Sequence, residues 1–348
     1  MGMNRYTVLD IPGYEEVVRC DNTEVGFTSW IAVHNSNRGP ALGGCRVWSY
    51  AREEDALVDV LRLSKGMTYK NSLARLPLGG GKSVVFADLG KVDRVALFEA
   101  VGRFVDTLGG RYITAEDVNS TVEDMVAVKR FTRHVATVGG SGNPSPFTAY
   151  GVYCAIRACV KFRYNRESTK GMVVAIQGVG ETGGRLAELL VKDGCSIIAS
   201  DINRENIAKL RERISFEEVS PDAIYEVPCD IFSPCALGGT LNSMTIPKLQ
   251  CAIVAGSANN QLLEEIDGNR LFDRDILYAP DYAVNAGGVI NISCEIDQDY
   301  DPERAKTETA KIGETVLDIL RQSKSMKLPT HLIANRMAEE LFGMKRAA

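Results

Sequence analysis

Hydrophobic and polar positions divide the chain into two regions with different periodicities. Between about residues 25 and 115, short β-rich runs such as Phe27–Val33 alternate with helical patterns. Glu53–Lys65 predicts an amphipathic helix, because its apolar residues recur at helical spacing on one face. Val95–Leu108 predicts a second helix that ends at the Gly109-Gly110 pair. The first region is therefore predicted to be mixed α/β.

The second half of the chain has a regular strand–helix–strand rhythm that begins near residue 170. Its strand-like runs are Met172–Ile176, Ser196–Ser200, Asp230–Phe232, Ala252–Ala255 and Ile276–Tyr278. Near-continuous apolar strands separated by helix-length segments are typical of a parallel sheet covered by helices on both faces. Two amphipathic helices follow, one over Pro302–Lys324 and one from Thr330 to about Lys345. The Gly/Ser/Pro-rich segment 139–146 predicts a hinge between the two regions.

Composition and charge exclude several classes of protein. The 348 residues are 45% hydrophobic and 24% charged, with 40 Lys plus Arg against 45 Asp plus Glu. A net charge of −5 argues against a dedicated nucleic-acid surface, and no apolar run is long enough to span a membrane. The nine scattered cysteines and three histidines form no zinc-ligand or disulfide pattern, so we expect a cytoplasmic, reduced protein without a metal.

A glycine-rich motif with the spacing of a dinucleotide-binding turn follows the first strand of the second region. It consists of Gly178, Val179, Gly180, Glu181, Thr182 and Gly183. The glycines permit a tight turn, close approach of a pyrophosphate and close helix–strand packing, while the helix N-terminus attracts phosphate. Asp201 ends the next strand, where a carboxylate accepts hydrogen bonds from ribose hydroxyls and repels a 2′-phosphate. The motif predicts NAD as the cofactor, although the nearby Arg204 leaves NADP open, and a glycine turn without a ligand is the structural alternative.

Two lysines and an aspartate are candidate active-site residues. Lys82 follows the glycine triplet 79–81 and precedes a predicted strand, so a tight backbone turn would present its side chain. Lys70 lies in a Met-Thr-Tyr-Lys run upstream, and Asp117 follows a third short apolar segment. Most lysines are solvated surface charges, and spacing alone does not bring these three residues together.

Several motifs, in the same order along nearly the whole chain, resemble the Glu/Leu/Phe/Val amino-acid dehydrogenase family. The matching runs are Gly39–Gly44, Lys65–Lys70, Gly79–Lys82, Arg111–Asn119, Gly142–Tyr150, Ala255–Asn260 and Asn285–Asn291. Within the family the resemblance is greatest to leucine dehydrogenases, followed by phenylalanine dehydrogenases.

The resemblance implies a role for each candidate residue. Lys70 would bind the substrate α-carboxylate, with Gly43 and Gly44 letting the backbone approach the substrate. Lys82 would be the catalytic lysine, and Asp117 would assist proton transfer to and from the amino group. The cation of Lys70, together with desolvation on cleft closure, would favour the uncharged amine of Lys82, which would then activate the water that attacks the imine.

The same resemblance implies which residues set specificity. Leu42 stands where glutamate dehydrogenases carry a lysine, so glutamate would be a poor substrate because its side-chain carboxylate would be buried unpaired. The other residues implied for the apolar substrate pocket are Ala115, Val289 and Ile292, and those implied for the cofactor or substrate side are Thr148, Asn260 and Asn285. Cys235 and Ala236 follow a predicted strand, so their backbone is expected to border the cofactor at the carboxyl end of the sheet. Ordinary structural alternatives are core packing for the pocket residues and Cys235, and a helix cap for Thr148.

The implied activity is the reversible, NAD-dependent oxidative deamination of an apolar L-amino acid to a 2-oxo acid and ammonia. Leucine and the other branched-chain amino acids are the expected substrates. A phenylalanine or valine dehydrogenase stays open, because a change in pocket size shifts selectivity by only about 1–3 kcal/mol. A non-catalytic nucleotide-binding protein on the same fold is disfavoured, since it would lack at least one of Lys70, Lys82 or Asp117.

The expected architecture is α/β with two domains. Residues 1–135 plus 327–348 would form an N-terminal α/β catalytic domain, and residues 136–326 would form a Rossmann-type, doubly wound parallel-sheet domain that binds NAD. The active site is expected in a cleft between them that closes for the reaction. The chain ends soon after Phe342, without the extension that contributes to octamer contacts in leucine dehydrogenases, so we expect a homo-oligomer, and a dimer rather than an octamer. We expect no nucleic-acid or membrane partner.

Overall fold

The chain folds into two compact units in a computed structural model that describes residues 4–136, 140, 142–296 and 300–343. Unit 1 comprises residues 1–142, 292–300 and 338–348, and unit 2 comprises residues 143–291 and 301–337. Residues 139 and 141 of the predicted hinge lie outside the described residues, and Ser145 and Pro146 begin a helix. Among the described residues, no helix combines the length and apolar character needed to cross a bilayer.

Unit 1 is built on a six-stranded mixed sheet with the strand order β1-β2-β3-β5-β4-β6. The strands are β1 (Arg5–Leu9), β2 (Glu16–Asn22), β3 (Phe27–Asn35), β4 (Ala41–Trp48), β5 (Gly79–Phe86) and β6 (Tyr112–Glu116). Its helices are α1 (Glu53–Leu73), α2 (Arg94–Thr107) and α3 (Val122–Lys129). Strands β4, β5 and β6 are mutually parallel, whereas β3 is antiparallel to β5.

Helices α1 and α2 cover opposite faces of this sheet. Successive side chains of a strand point to opposite faces, so Trp30 packs with Val60 of α1, whereas Ile31 and Val85 pack with Phe98 of α2. Each face therefore has its own apolar core. The apolar runs of the first region are strands with both faces buried, as their near-continuous hydrophobicity indicates.

Two local predictions for this region are wrong. The helix predicted to end at Lys65 runs on to Leu73, because the next residue with a left-handed backbone, which favours a helix end, is Arg75 at φ 57°. The glycine triplet 79–81 is part of β5 rather than a turn before it, and none of the three glycines has a positive φ. Lys82 consequently lies inside a strand, and Lys70 lies in the last turn of a helix.

Unit 2 contains a six-stranded, all-parallel sheet with the order β12-β11-β10-β7-β8-β9. The strands are β7 (Val173–Gln177), β8 (Ser196–Ser200), β9 (Glu217–Glu218), β10 (Ile231–Pro234), β11 (Ile253–Val254) and β12 (Leu277–Tyr278). The first helices are α4 (Ser145–Tyr164), α5 (Glu181–Lys192), α6 (Arg204–Arg211), α7 (Ile266–Asp273) and α8 (Asp281–Val284), with single 3-10 turns at Ala223–Tyr225 and Ile246–Lys248. The strand order reverses direction at β7, so the predicted doubly wound parallel sheet is confirmed.

Four helices form the C-terminal part of the chain: α9 (Gly287–Ile296), α10 (Pro302–Ala310), α11 (Ile312–Met326) and α12 (Thr330–Gly343). The single helix predicted over Pro302–Lys324 is thus two helices that meet at Lys311. Helix α12 begins at Thr330 as predicted, and its predicted end at residue 345 lies outside the described residues. Its final turns contact the rest of unit 1, where Tyr69 Oη donates to Glu339 Oε1 at 2.7 Å.

Candidate active site

One face of the unit 1 sheet collects several of the residues that the resemblance assigns to the substrate. Leu42, Gly44 and Arg46 alternate along β4 and therefore share a face. The parallel register pairs Gly44 with Ala115 and Arg46 with Val84, which places Ala115 and Lys82 on the same face. Helix α1, whose last turn carries Lys70, packs on this face through the Nδ2 of Asn71, which donates to Gly79 O at 2.6 Å.

Lys82 and Asp117 form the central ion pair of this face. Lys82 Nζ lies 2.9 Å from Asp117 Oδ2, and only 6% of the Lys82 side chain is exposed, against 24% for Asp117. The same Oδ2 accepts a hydrogen bond from Arg46 Nε at 3.1 Å. Arg46 also donates to Asp59 Oδ2 at 3.0 Å, an atom that accepts a second bond, of 2.6 Å, from Tyr50 Oη. The arrangement is a charge network of two cations and two carboxylates.

The charge state of Asp117 follows from its neighbours. Burial alone would raise the pKa of this carboxyl, but the charges of Lys82 and Arg46 outweigh burial and lower the pKa to about 2. Asp117 is therefore a carboxylate at neutral pH. The resemblance implies an uncharged Lys82 beside the Lys70 cation, with Asp117 assisting; the described contact of Lys82 is its ion pair with Asp117.

Glycines in β4 and β5 allow the close approach that assembles this network. A Cβ at Gly44 would lie 2.7 Å from Asp117 Cβ, and a Cβ at Gly43 would overlap Gly81 O. A Cβ at Gly80 would overlap the backbone of Thr68 in α1. The glycines that the resemblance assigns to substrate approach thus also have a packing function, because any side chain would push neighbouring elements apart.

The four residues predicted for the substrate side-chain pocket are distributed over both units. Leu42 and Ala115 are buried in unit 1, on the face that carries Lys82. Val289 belongs to unit 2 and Ile292 to unit 1, and the two lie one turn apart on α9, so they share a helix face. Leu42 is uncharged, so this part of the sheet face is apolar.

The glycine motif of unit 2 has the strand–turn–helix context that the sequence predicts. Gly178 follows β7 with φ +89°, a conformation that favours glycine, and a Cβ there would lie 2.7 Å from Ala236 Cβ. A Cβ at Gly183 would overlap Gly178 O and come within 3.1 Å of Cys235 Cβ. Gly180 is the N-cap residue of α5, where the nearest atom to an added Cβ, among the described residues, is 3.7 Å away. Cys235 and Ala236 therefore lie directly against the glycine turn.

Asp201 holds the glycine turn in place. Its Oδ2 accepts from Val179 N at 2.8 Å and from Asn206 Nδ2 at 3.1 Å, while its Oδ1 accepts from Asn203 N at 2.8 Å. Two bonds fill Oδ2, so the remaining acceptor capacity of the carboxylate is at Oδ1. Arg204 pairs with Glu218. The carboxylate beside the turn therefore has backbone and amide partners.

Other residues of the motif and its surroundings have simple local contacts. Glu181, the first residue of α5, is paired with Arg185 at 3.2 Å, and Thr182 is half-buried. The alternative interpretation of Thr148 as a helix cap is wrong, because Thr148 is inside α4 and its Oγ1 donates to Pro144 O at 3.1 Å. A Cβ at Gly288 would lie 2.9 Å from Thr148 Oγ1, so the start of α9 lies against Thr148.

Two asparagines lie close to the carboxyl ends of β11 and β12. Asn260 has a left-handed backbone with φ +52°, and its N–H donates to Asp281 Oδ2 at 2.9 Å. Asn285 is buried, and its Nδ2 donates to Ser257 O at 3.1 Å and Asn259 Oδ1 at 3.0 Å. Its Oδ1 is buried without a hydrogen-bond partner in the described part of the chain. A buried, unpaired acceptor is costly unless a ligand donates to it.

Sequence reasoning missed the outer part of the charge network: Arg46, Asp59 and Tyr50. Arg46 follows the Gly43-Gly44 pair after one residue, which is the only local signal that it belongs to the site. Asp59 and Tyr50 carry no such signal.

Family models match two long segments of the chain. Residues 14–134 match the model described as Glu/Leu/Phe/Val dehydrogenase, dimerisation domain, and residues 200–338 match Glutamate/Leucine/Phenylalanine/Valine dehydrogenase. The chain is 49% identical to leucine dehydrogenase of Thermoactinomyces intermedius over 96% of this chain and 92% of the relative. It is 42% identical to phenylalanine dehydrogenase of the same organism, over 96% and 93%. The crystal structure of L-tryptophan dehydrogenase from Nostoc punctiforme superposes with a TM-score of 0.85 at 40% identity, over 95% and 96% of the two chains.

Proposed function

The chain belongs to the Glu/Leu/Phe/Val dehydrogenase family and is an NAD(P)-dependent amino-acid dehydrogenase; from this premise we propose that it oxidatively deaminates L-leucine and other branched-chain amino acids with NAD. The products are the 2-oxo acid and ammonia, and the reaction is reversible. The observation that carries the proposal is the buried Lys82–Asp117 pair on the same sheet face as the apolar Leu42 and Ala115. The 49% identity to a leucine dehydrogenase supports it.

The residues of the glycine turn fit a dinucleotide. Gly180 leaves the N-terminus of α5 open to a phosphate, and Asp201 has acceptor capacity for ribose hydroxyls. The bound nicotinamide supplies the hydride acceptor for the oxidative direction. The negative charge of Asp201 disfavours a 2′-phosphate, and the pairing of Arg204 with Glu218 supports NAD rather than NADP. Thr148, Cys235, Ala236, Asn260 and Asn285 are proposed to border this cofactor, and the unpaired Asn285 Oδ1 would accept from a ligand N–H.

Three side chains perform the proposed chemistry. The Lys70 ammonium orients the substrate through its α-carboxylate. Asp117 holds Lys82 Nζ at 2.9 Å and is proposed to assist proton transfer to and from the substrate amino group. The amine of Lys82 then takes a proton from the water that attacks the imine carbon. Burial of Lys82 keeps bulk water from its amine, which strengthens its interaction with Asp117.

The apolar residues on the sheet face that carries Lys82 support the proposed substrate class. A branched-chain side chain would lie against Leu42 and Ala115 of unit 1, whereas the γ-carboxylate of glutamate would be buried there without a partner. An unpaired buried carboxylate costs several kcal/mol, so glutamate should be rejected strongly. Phenylalanine differs from leucine only in size and shape, a difference of about 1–3 kcal/mol.

An NAD-reduction assay across a panel of amino acids tests this proposal. We expect leucine, isoleucine and valine to have the highest kcat/KM, phenylalanine a lower value and glutamate none that is measurable. If phenylalanine had the highest kcat/KM, the branched-chain assignment would be wrong, but the protein would still be an amino-acid dehydrogenase. The same panel with NADP tests the cofactor preference.

The catalytic role of Lys82 is tested by Lys82→Ala. Turnover should be abolished while NAD affinity, measured by fluorescence quenching, stays close to that of the unchanged protein. Lys91→Ala is the matched control, because Lys91 is an exposed lysine of the same unit, paired only with Asp88 in the described contacts. Full activity of Lys82→Ala would refute the assignment.

The assembly is proposed to be a homo-oligomer, with a dimer preferred over an octamer. The description of the matched model over residues 14–134 as a dimerisation domain supports an association through unit 1. Light scattering on the purified protein gives the assembly state directly.

The compartment is proposed to be the cytoplasm, because the nine free cysteines are compatible with a reducing environment.

A further inference from the structure

Two cysteines of unit 2 lie opposite each other just before the neighbouring strands β10 and β11, away from the glycine turn. Pro228 pairs with Gln250 in a parallel bridge, and Ile231 pairs with Ile253 in the same register. Cys229 and Cys251 each follow a bridge residue in the sequence, and Cys229 N donates to Gln250 O at 3.2 Å. Cα atoms of paired strand residues lie about 4.8 Å apart, which is inside the range of roughly 4.4–6.8 Å that a disulfide spans.

The side chains of this pair point in the same direction and can be reached from solvent. Both are half-buried, and both pack against the apolar cluster that contains Phe232 and Val254. They also line one open surface cavity of about 470 Å³ together with Arg274. The guanidinium of Arg274 is held over this cavity by hydrogen bonds to Ile246 O and Leu249 O. A small oxidant can therefore enter and meet both sulfur atoms.

The two thiols have different chemical characters. Interaction with the Cys229 thiol, assisted by the charge of Arg274, lowers the pKa of Cys251, although burial opposes this shift. The interaction with Cys251, with burial adding to it, raises the pKa of Cys229. The more readily ionised sulfur is the better nucleophile toward a peroxide, and a neighbouring thiol is positioned to resolve the product.

We propose that Cys229 and Cys251 are a thiol modification site at which hydrogen peroxide forms a reversible disulfide between β10 and β11. The Cys251 sulfur attacks one peroxide oxygen; an S–O bond forms, the O–O bond breaks, and the departing hydroxide takes up the proton from Cys251. The Cys229 sulfur then forms the S–S bond and displaces hydroxide from the sulfenic acid, and its own proton completes a second water. The thiols lose two electrons and two protons, and the peroxide is reduced to two waters.

The site is separate from the proposed cofactor site. The pair lies at the amino-terminal ends of β10 and β11, whereas Cys235 and Ala236 follow the carboxyl end of β10. In parallel α/β sheets ligands bind at the carboxyl ends of the strands. Oxidation at this pair is thus a chemical property of unit 2 that the dehydrogenase reaction does not use.

The experiment treats the full-length protein with a small excess of hydrogen peroxide and maps its peptides without reduction. We expect one intramolecular disulfide that joins the peptides of Cys229 and Cys251 and that dithiothreitol reverses. The free thiols of Cys229 and Cys251 should disappear about tenfold faster than the free thiol of Cys154. Cys154 is a half-buried cysteine of α4 and serves as the internal reference. A disulfide to another cysteine, a cross-link between chains or equal rates for the pair and Cys154 would overturn the proposal.

Two single substitutions test the order of the steps. Cys229→Ser should leave Cys251 trapped as a sulfenic acid that reacts with dimedone, because the resolving thiol is gone. Cys251→Ser should abolish the fast oxidation, and Cys154→Ser should leave disulfide formation unchanged. If Cys229→Ser gave no dimedone adduct at Cys251, the assignment of the attacking thiol would be wrong.

Discussion

Arg46 is expected to contribute more to the stability of unit 1 than an ordinary surface arginine. The Arg46 guanidinium bridges Asp117 at 3.1 Å and Asp59 at 3.0 Å, and only 24% of its side chain is exposed. Breaking a fully buried ion pair costs roughly 3–5 kcal/mol, whereas exposed pairs contribute about 0–1 kcal/mol. In Arg46→Met, Asp117 keeps its ion pair with Lys82, and Asp59 keeps its hydrogen bond from Tyr50. We therefore expect an intermediate decrease of about 2 kcal/mol in the free energy of unfolding.

Urea unfolding followed by tryptophan fluorescence measures this loss. The two tryptophans of the sequence, Trp30 and Trp48, both belong to unit 1, so the signal reports on that unit. Arg52→Met is the matched control, because Arg52 pairs with Asp55 on the surface and is 70% exposed. The control should lose little stability, because solvent and salt screen this exposed pair. Equal decreases in the free energy of unfolding of the two variants would refute the reasoning that the partly buried charge network contributes strongly to the stability of unit 1.

Three further outcomes are expected. The pKa of Asp117 is about 2 in the folded protein, against an ordinary value of 3.8. The stability that its ionisation contributes is therefore present above pH 3.8 and is lost as the pH falls toward 2. In acid unfolding, Asp117→Asn should lack this pH-dependent loss of stability. Gly80→Ala should destabilise unit 1 by more than about 2 kcal/mol, whereas Gly66→Ala, with open space in mid-helix, should stabilise it by about 0.5–1 kcal/mol in urea unfolding. Asp201→Ser should lower the ratio of NAD to NADP kcat/KM by about tenfold or more, and an unchanged ratio would contradict the proposed role of the carboxylate.

Interactions within the glycine turn could be predicted because they are local in sequence. A tight turn after an apolar strand, followed by a helix N-terminus, involves residues within a few positions of one another. The positive φ of Gly178 and the N-cap position of Gly180 are direct consequences of that local pattern. The parallel sheet followed equally directly from continuous apolar strands at regular spacing. Helix ends were harder to predict: α1 continues past Lys65 to Leu73, and its last turns pack on β5 through the bond from Asn71 Nδ2 to Gly79 O.

The sequence by itself determined the α/β class, the doubly wound sheet of unit 2 and the identity of the candidate residues. Only the tertiary structure decided how those residues meet. Arg46 and Asp117 are 71 positions apart, and they touch because Gly43 and Gly44 let neighbouring strands and loops approach without a side chain between them. Such contacts depend on strand register and on close backbone packing. Neither is encoded in a short window of sequence, which is why spacing alone did not predict that Lys82 and Asp117 meet.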